Sequence, residues 1–153
     1  MGFDLAGLNV KGENGDYFHT NCWGWRPIWW FLGSKADDIL TEEDLKGGES
    51  NCMHEISEKK ADAISERIDF LLKEGYIDKY SKERIEYLEN LPLEECDLCQ
   101  GTGKRKDMEV RSGCNKCLGK GSVKNFITNY PFNVEELMRF AKFVEHSGGF
   151  NIG

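Results

Sequence analysis

The sequence contains no apolar run approaching the ~20 residues that cross a bilayer, and its start, Met1-Gly2-Phe3-Asp4, has no basic segment leading into an apolar one. Gly2 is followed by Phe3-Asp4-Leu5-Ala6, without the Ser or Thr that a myristoylation signal carries at position six. These absences predict a cytoplasmic chain with no membrane partner. Catalytic signatures are missing too. There is no G-x-S-x-G elbow, no phosphate-binding glycine loop and no H-E-x-x-H, and histidine is scarce, with three in 153 residues. Carboxylates are plentiful but scattered over helical faces, so spacing assembles no acid and base pair. The reading is therefore non-enzymatic, with a hydrolase acting through His54 and acidic residues as the alternative. Positive charge is also in deficit: a net charge of −7 opposes non-specific binding to polyanions.

Cysteine, by contrast, is present in a pattern. Cys96-Asp97-Leu98-Cys99-Gln100-Gly101-Thr102-Gly103 and Cys114-Asn115-Lys116-Cys117-Leu118-Gly119-Lys120-Gly121 both read C-x-x-C-x-G-x-G, with fourteen residues between Cys99 and Cys114. A two-residue spacer lets a tight turn aim both sulfurs inward, so two such pairs wrap four thiolates around one Zn2+. The glycines suit backbone that needs positive φ or close approach beneath the metal. Cys96, Cys99, Cys114 and Cys117 are the predicted ligands. Four sulfurs leave no open position for water, which makes the zinc structural rather than catalytic. Cys22 and Cys52 have no partner pattern, as expected where thiols stay reduced.

The doubled motif resembles the cysteine-rich zinc domain of DnaJ-type chaperones over about residues 96–124. Those chaperones carry four such units where this chain has two, and no His-Pro-Asp tripeptide occurs here, so the resemblance implies the zinc fold without co-chaperone activity. Between Gln100 and Asn125 the chain is locally basic. Lys104, Arg105, Lys106, Arg111, Lys116, Lys120 and Lys124 stand against Asp107 and Glu109. Zn2+ with four thiolates carries a charge of about −2, so part of the excess balances the site. The other use for it is a nucleic-acid or protein contact.

Along the chain, residues 2–33 are rich in glycine and aromatics, and the first twenty show neither helical period nor strict alternation, which predicts loops and a short strand. A helix is expected from Pro27, a residue suited to a first helical position. All four tryptophans fall between Trp23 and Trp30. Two readings of this cluster stay open. In one the indoles are core. In the other Trp23, Trp25 and Trp29, with Tyr17, Asn21 and Arg26, line a pocket in which rings stack on a flat ligand, Arg26 pairs with its phosphate or carboxylate and Asn21 reads an edge. Asn51 and His54, in the loop 47–54, are further pocket candidates. His19 reads as a hydrogen-bonding loop residue.

Thr41-Glu42-Glu43-Asp44 has the look of a helix start. Ser57 caps a helix over 58–74 with Ala61, Ile64, Ile68, Leu71 and Leu72 on one stripe and Gly75 as its stop. A second helix runs over 81–90 to Pro92, and 123–130 suits a strand. Asn133 caps a last helix whose stripe is Leu137, Phe140, Ala141 and Val144, ended by Ser147-Gly148-Gly149. The expected fold is α+β, mainly helical: a small single domain formed by residues 1–93 and the C-terminal helix of 128–153, with a four-cysteine zinc hairpin inserted at 94–127.

Three segments carry a second resemblance: Gly2-Phe3-Asp4-Leu5 with Gly7-Leu8-Asn9, Asp16-Tyr17-Phe18 through Trp25-Arg26-Pro27-Ile28-Trp29, and Tyr130-Pro131-Phe132 through Ser147-Gly148-Gly149-Phe150-Asn151-Ile152. Together they resemble a family of small uncharacterised proteins of bacteriophages and prophages. That implies an accessory protein in an infected bacterium. Combined with the Trp/Arg/Asn cluster, it gives the functional expectation of a non-enzymatic, zinc-stabilised protein binding a planar, anionic, nucleotide-derived ligand, sequestering a host immune signal. The alternative is a protein or nucleic-acid interaction module working through the basic hairpin, with a host protein as its partner. Spacing leaves the oligomeric state open, including a pocket completed by a second copy.

Overall fold

The computed structural model describes residues 2–105 and 113–153. Lys106, Asp107, Glu109 and Arg111 lie outside the described residues. The chain divides into two compact units, residues 1–85 with 130–153, and residues 86–129. The fold is α+β and mainly helical, with the second unit inserted into the chain of the first.

In the first unit, strands β1 (Gly2–Gly7) and β2 (Tyr17–Asn21) form an antiparallel hairpin. They are followed by helices α1 (Cys22–Lys35) and α2 (Glu42–Ser50), strand β3 (His54–Ile56), and helices α3 (Glu58–Lys73) and α4 (Tyr76–Glu89), the last of which runs on into the second unit. Strands β4 (Glu94–Glu95) and β5 (Ser122–Val123) belong to the second unit, as does a short 3-10 helix, Phe126–Asn129. Helix α5 (Val134–Ser147) and strand β6 (Phe150–Ile152) complete the first. Its sheet has the order β2-β1-β6-β3, every pair antiparallel.

Alternation is local to each strand rather than continuous through the N-terminal segment. Phe3 and Leu5 of β1, Phe18 and Thr20 of β2, and Phe150 and Ile152 of β6 all point inward, while Asp4, Ala6 and His19 point out. The buried face meets α1 and α5 through an aromatic network: Trp25 lies edge-on to Phe140 at 5.4 Å, and Phe140 edge-on to Phe150 at 5.9 Å. Such edge-to-face pairs add about 1 kcal/mol each beyond the burial itself.

Helix α1 begins five residues before the expected Pro27. Asn21 is the N-cap, its Oδ1 accepting from the Gly24 N–H at 3.0 Å, and Pro27 sits inside the helix at the cost of one backbone bond. Helix α4 starts at Tyr76, earlier than expected, and of the anticipated strand over 123–130 only Val123 is in β5, with the 3-10 turn following. The caps at Ser57, Thr41 and Asn133 are as expected, and Ala61, Ile64, Ile68, Leu71, Leu137, Phe140 and Val144 are buried. Leu72, expected in the α3 stripe, is exposed; on α5 Ala141 is only partly buried, and Phe143, outside the expected stripe, is buried.

The loop between β1 and β2 closes over the end of α5. Leu8, Asn9 and Lys11 donate backbone N–H groups to the carbonyls of Gly149, Ser147 and His146 at 2.8–3.0 Å, which satisfies carbonyls the helix end leaves open. A Cβ on Gly15 would stand 2.1 Å from the His146 oxygen, and one on Gly148, at φ +60°, 2.1 Å from the Asn9 oxygen.

Candidate metal centre

In the second unit β4 and β5 pair antiparallel, Glu94 with Val123 and Glu95 with Ser122, and beyond them the two C-x-x-C-x-G-x-G turns face one another. Their hydrogen bonds repeat at an offset of eighteen residues. Gly101 N–H donates to the Cys96 carbonyl at 3.3 Å and Gly119 N–H to the Cys114 carbonyl at 3.1 Å. Thr102 and Lys120 donate to Cys99 and Cys117, both at 3.1 Å. The knuckles are stitched reciprocally: Cys96 N–H reaches Gly121 at 2.9 Å, and Cys114 N–H reaches Gly103 at 2.8 Å.

The glycines of the motif have a steric reason. Gly103 and Gly121 adopt φ of +72° and +78°, and a Cβ on either would lie 2.3 Å from the carbonyl oxygen of Gly119 or Gly101 in the opposite knuckle. Any side chain there would force the knuckles apart. The same two glycines point their N–H groups at sulfur, Gly103 to Cys99 and Gly121 to Cys117, each at 3.2 Å, as thiolate ligands require of their surroundings.

Four buried sulfurs result. Cys96, Cys99, Cys114 and Cys117 place their Sγ atoms within 4.8 Å of one another, with Cys96 and Cys114 3.8 Å apart and Cys99 and Cys117 3.7 Å apart. Among the described residues this is the one group of Cys, His, Asp and Glu side chains so arranged. Burial pushes the Cys96 thiol up to about 11. At Cys117 the effect of burial is outweighed by the Gly121 N–H and the neighbouring thiols, and the value falls to about 7. A divalent cation held by the four sulfurs would supply the positive charge that lets all of them ionise.

The tryptophans are distributed differently from the pocket arrangement. Trp25 and Trp29 are fully buried in the first unit, stacked at 5.1 Å, and their indole N–H groups donate to the backbone carbonyls of Gly48 at 2.7 Å and Leu45 at 3.0 Å. The two rings are core, and their polar edges are already occupied. A Cβ on Gly48 would meet the Trp29 indole at 2.2 Å, so α2 packs against the ring because that residue is glycine. Trp23 is partly exposed and packs on Tyr130 at 4.6 Å. Arg26 donates to the Tyr130 hydroxyl at 2.9 Å rather than facing an empty site. Asn21 is committed as the N-cap of α1.

Tyr17 stands apart from the indoles, on the outer face of β2. Its hydroxyl donates to Asp4, which also bonds the Nδ1 of His19 at 2.9 Å, and His19 is a strand residue rather than a loop residue. Tyr17 and His19 border a shallow cleft of about 260 Å³ with Arg139 and Lys142 of α5. Asn51, left-handed at φ +51°, ends α2 and donates to the Gly2 carbonyl at 3.1 Å. His54 bonds Asp44 through Nε2 at 3.0 Å, its ring lying against Gly47.

Asp44 is the residue that sequence reasoning undervalued. Buried at the start of α2, it accepts from the Thr41 N–H at 2.7 Å and hydroxyl at 2.8 Å, from His54, and from the Lys60 ammonium at 2.5 Å. Thr41-x-x-Asp44 announces the capping box. The reach to β3 and α3 has no sequence signal. Burial raises the Asp44 carboxyl, and the bonds from Lys60, Thr41 and His54 more than reverse this, holding it well below the ordinary value of 3.8. No helix among the described residues is long and apolar enough to cross a membrane. Comparison with models of known protein families, with curated proteins and with solved structures gives no match to this chain.

Proposed function

We propose that this is a non-enzymatic interaction protein whose second unit is a module folded around one structural Zn2+, acting on a host macromolecule in the cytoplasm of a phage-infected bacterium. Zinc is supported by the donor set and by distance. Four thiolates are a soft, closed ligand set, and a tetrahedron with Zn–S of about 2.3 Å separates its sulfurs by about 3.8 Å, matching the 3.7 and 3.8 Å pairs. The setting follows from the likeness to phage proteins.

The observation that carries an interaction role is what the second unit buries. Among its described residues only the four cysteines, Gly103 and Gly121 are buried. Tyr87, Leu93, Leu98, Leu118 and Phe126 are exposed. A segment that uses metal instead of a core leaves apolar side chains such as Leu93, Leu98 and Leu118 on the surface, and these supply candidate contacts for a partner. The planar-ligand reading has less support, since Trp25, Trp29, Arg26 and Asn21 are occupied within the first unit.

The test is metal analysis joined to hydrogen exchange. The expected result is one zinc per chain, with chelation erasing amide protection across 86–129 while the first unit keeps its own. Zinc-free protein with that protection intact refutes the proposal.

A further inference from the structure

Leu118 occupies a position where leucine does nothing for the fold. Its φ is +52°, in the left-handed region, and it is 80% exposed. The equivalent residue of the first knuckle, Gln100, has φ +51°, so the motif itself imposes this backbone at the residue between the second cysteine and the glycine. Asn or Gly takes that conformation at less cost, and a branched apolar side chain there adds strain on the order of 1 kcal/mol without burying area in return. An outlier of this kind is grounds for seeking a function.

The rest of the knuckle pair is chemically consistent. The first knuckle exposes Leu98, 46% accessible. Across the described residues of the two knuckles, Lys104, Arg105, Lys116 and Lys120 outnumber the acids there, Asp97, which is bonded to Lys116, and Glu95, whose side chain lies against Gly101. Apolar side chains among cations, in a chain whose net charge is −7, complement carboxylates flanking apolar residues. A phosphate backbone would satisfy the lysines and leave both leucines without a partner.

We infer that the knuckle surface docks a segment of another protein that carries acidic residues around an apolar anchor, with Leu98 and Leu118 as the apolar contacts and Lys104 and Lys120 as the charged ones. The inference rests on the zinc-module reading and specifies its partner. The segment exchanges water for leucine contact, and the lysines set orientation and speed of encounter.

The experiment uses the full zinc-loaded chain in bacterial cells with a photo-crosslinking phenylalanine analogue at Gln100, which leaves both leucines and all the lysines in place. A control chain carries the analogue at Phe70, exposed on α3. The expected result is a protein adduct from the Gln100 probe whose linked segment is rich in Asp and Glu and contains Leu, Ile or Phe. Its yield falls by about tenfold or more in Leu118→Asn and in the pair Lys104→Glu with Lys120→Glu, at unchanged zinc content. If the charge reversals lower zinc content, Leu118→Asn alone decides, because Asn suits the left-handed turn. An adduct to nucleic acid, to a second copy of this chain or to a basic segment overturns the inference. So does a yield no higher than that of the Phe70 control, or one indifferent to Leu118→Asn. These outcomes are separable from failure of the zinc-module reading, which shows as absent zinc or persistent amide protection after chelation.

Discussion

The first unit buries Phe3, Leu5, Trp25, Trp29, Phe31, Phe140, Phe143, Phe150 and many aliphatic partners, whereas the second, residues 86–129, buries four sulfurs and two glycines among its described residues. The difference is one of size. A segment of this length exposes too much of its surface to gather a sufficient core, so small folds turn to metals or disulfides. Freed from core duty, its leucines and aromatics sit outside. In the first unit Trp25 and Trp29 are committed to the core, whereas Trp23 and Tyr17, of the same sequence cluster, stay exposed.

On the zinc reading proposed above, removing the metal should separate the units most. Structural zinc supplies about 10–16 kcal/mol in small zinc modules. Chelation, or Cys99→Ser, is expected to unfold residues 86–129 and leave the first unit folded. All four tryptophans lie in the first unit, so their fluorescence reports it alone. A tryptophan signal that collapses on chelation would show that the units fold as one.

Asp44→Ala should act on the first unit only. It strands the Lys60 ammonium, the Thr41 donors and His54 at the junction of α2, β3 and α3, and should cost about 3 kcal/mol in denaturant melts without changing zinc content. Acid sharpens the same contrast. The Asp44 carboxyl is lower in the folded state than its ordinary 3.8, so its stabilising contribution is complete above about pH 4 and is lost as pH falls toward the depressed value. Zinc binding requires deprotonated thiolates and is lost by proton competition as pH falls. Amide protection in 86–129 should therefore vanish at a higher pH than tryptophan fluorescence changes. The reverse order would show that Asp44 does not anchor the first unit.

The smallest effect is expected from Leu118→Asn, which should leave the zinc-bound unit as stable or raise it by up to about 1 kcal/mol, read by resistance to chelator. Clear destabilisation would mean that Leu118 packs within its own unit.

Much of this was readable along the chain, and the division has a physical basis. The helix caps at Thr41, Ser57 and Asn133, the stripes of α3 and α5, and the four-sulfur site are set by residues within a few turns of one another or by a repeated spacing, and local geometry is enough to specify them. The sheet was not readable, because β1 pairs with β6 at the opposite end of the chain and β6 has only three residues. Nor was the meeting of Asp44 with His54 and Lys60. The role of each tryptophan was equally hidden, since an indole carries the same apolar area and the same single donor whether it faces a ligand or a core. The sequence alone determined the caps, the stripes and the knuckles with their glycines; only tertiary packing decided that Trp25 and Trp29 face the carbonyls of α2 while Leu118 faces solvent, because burial depends on which distant segments arrive.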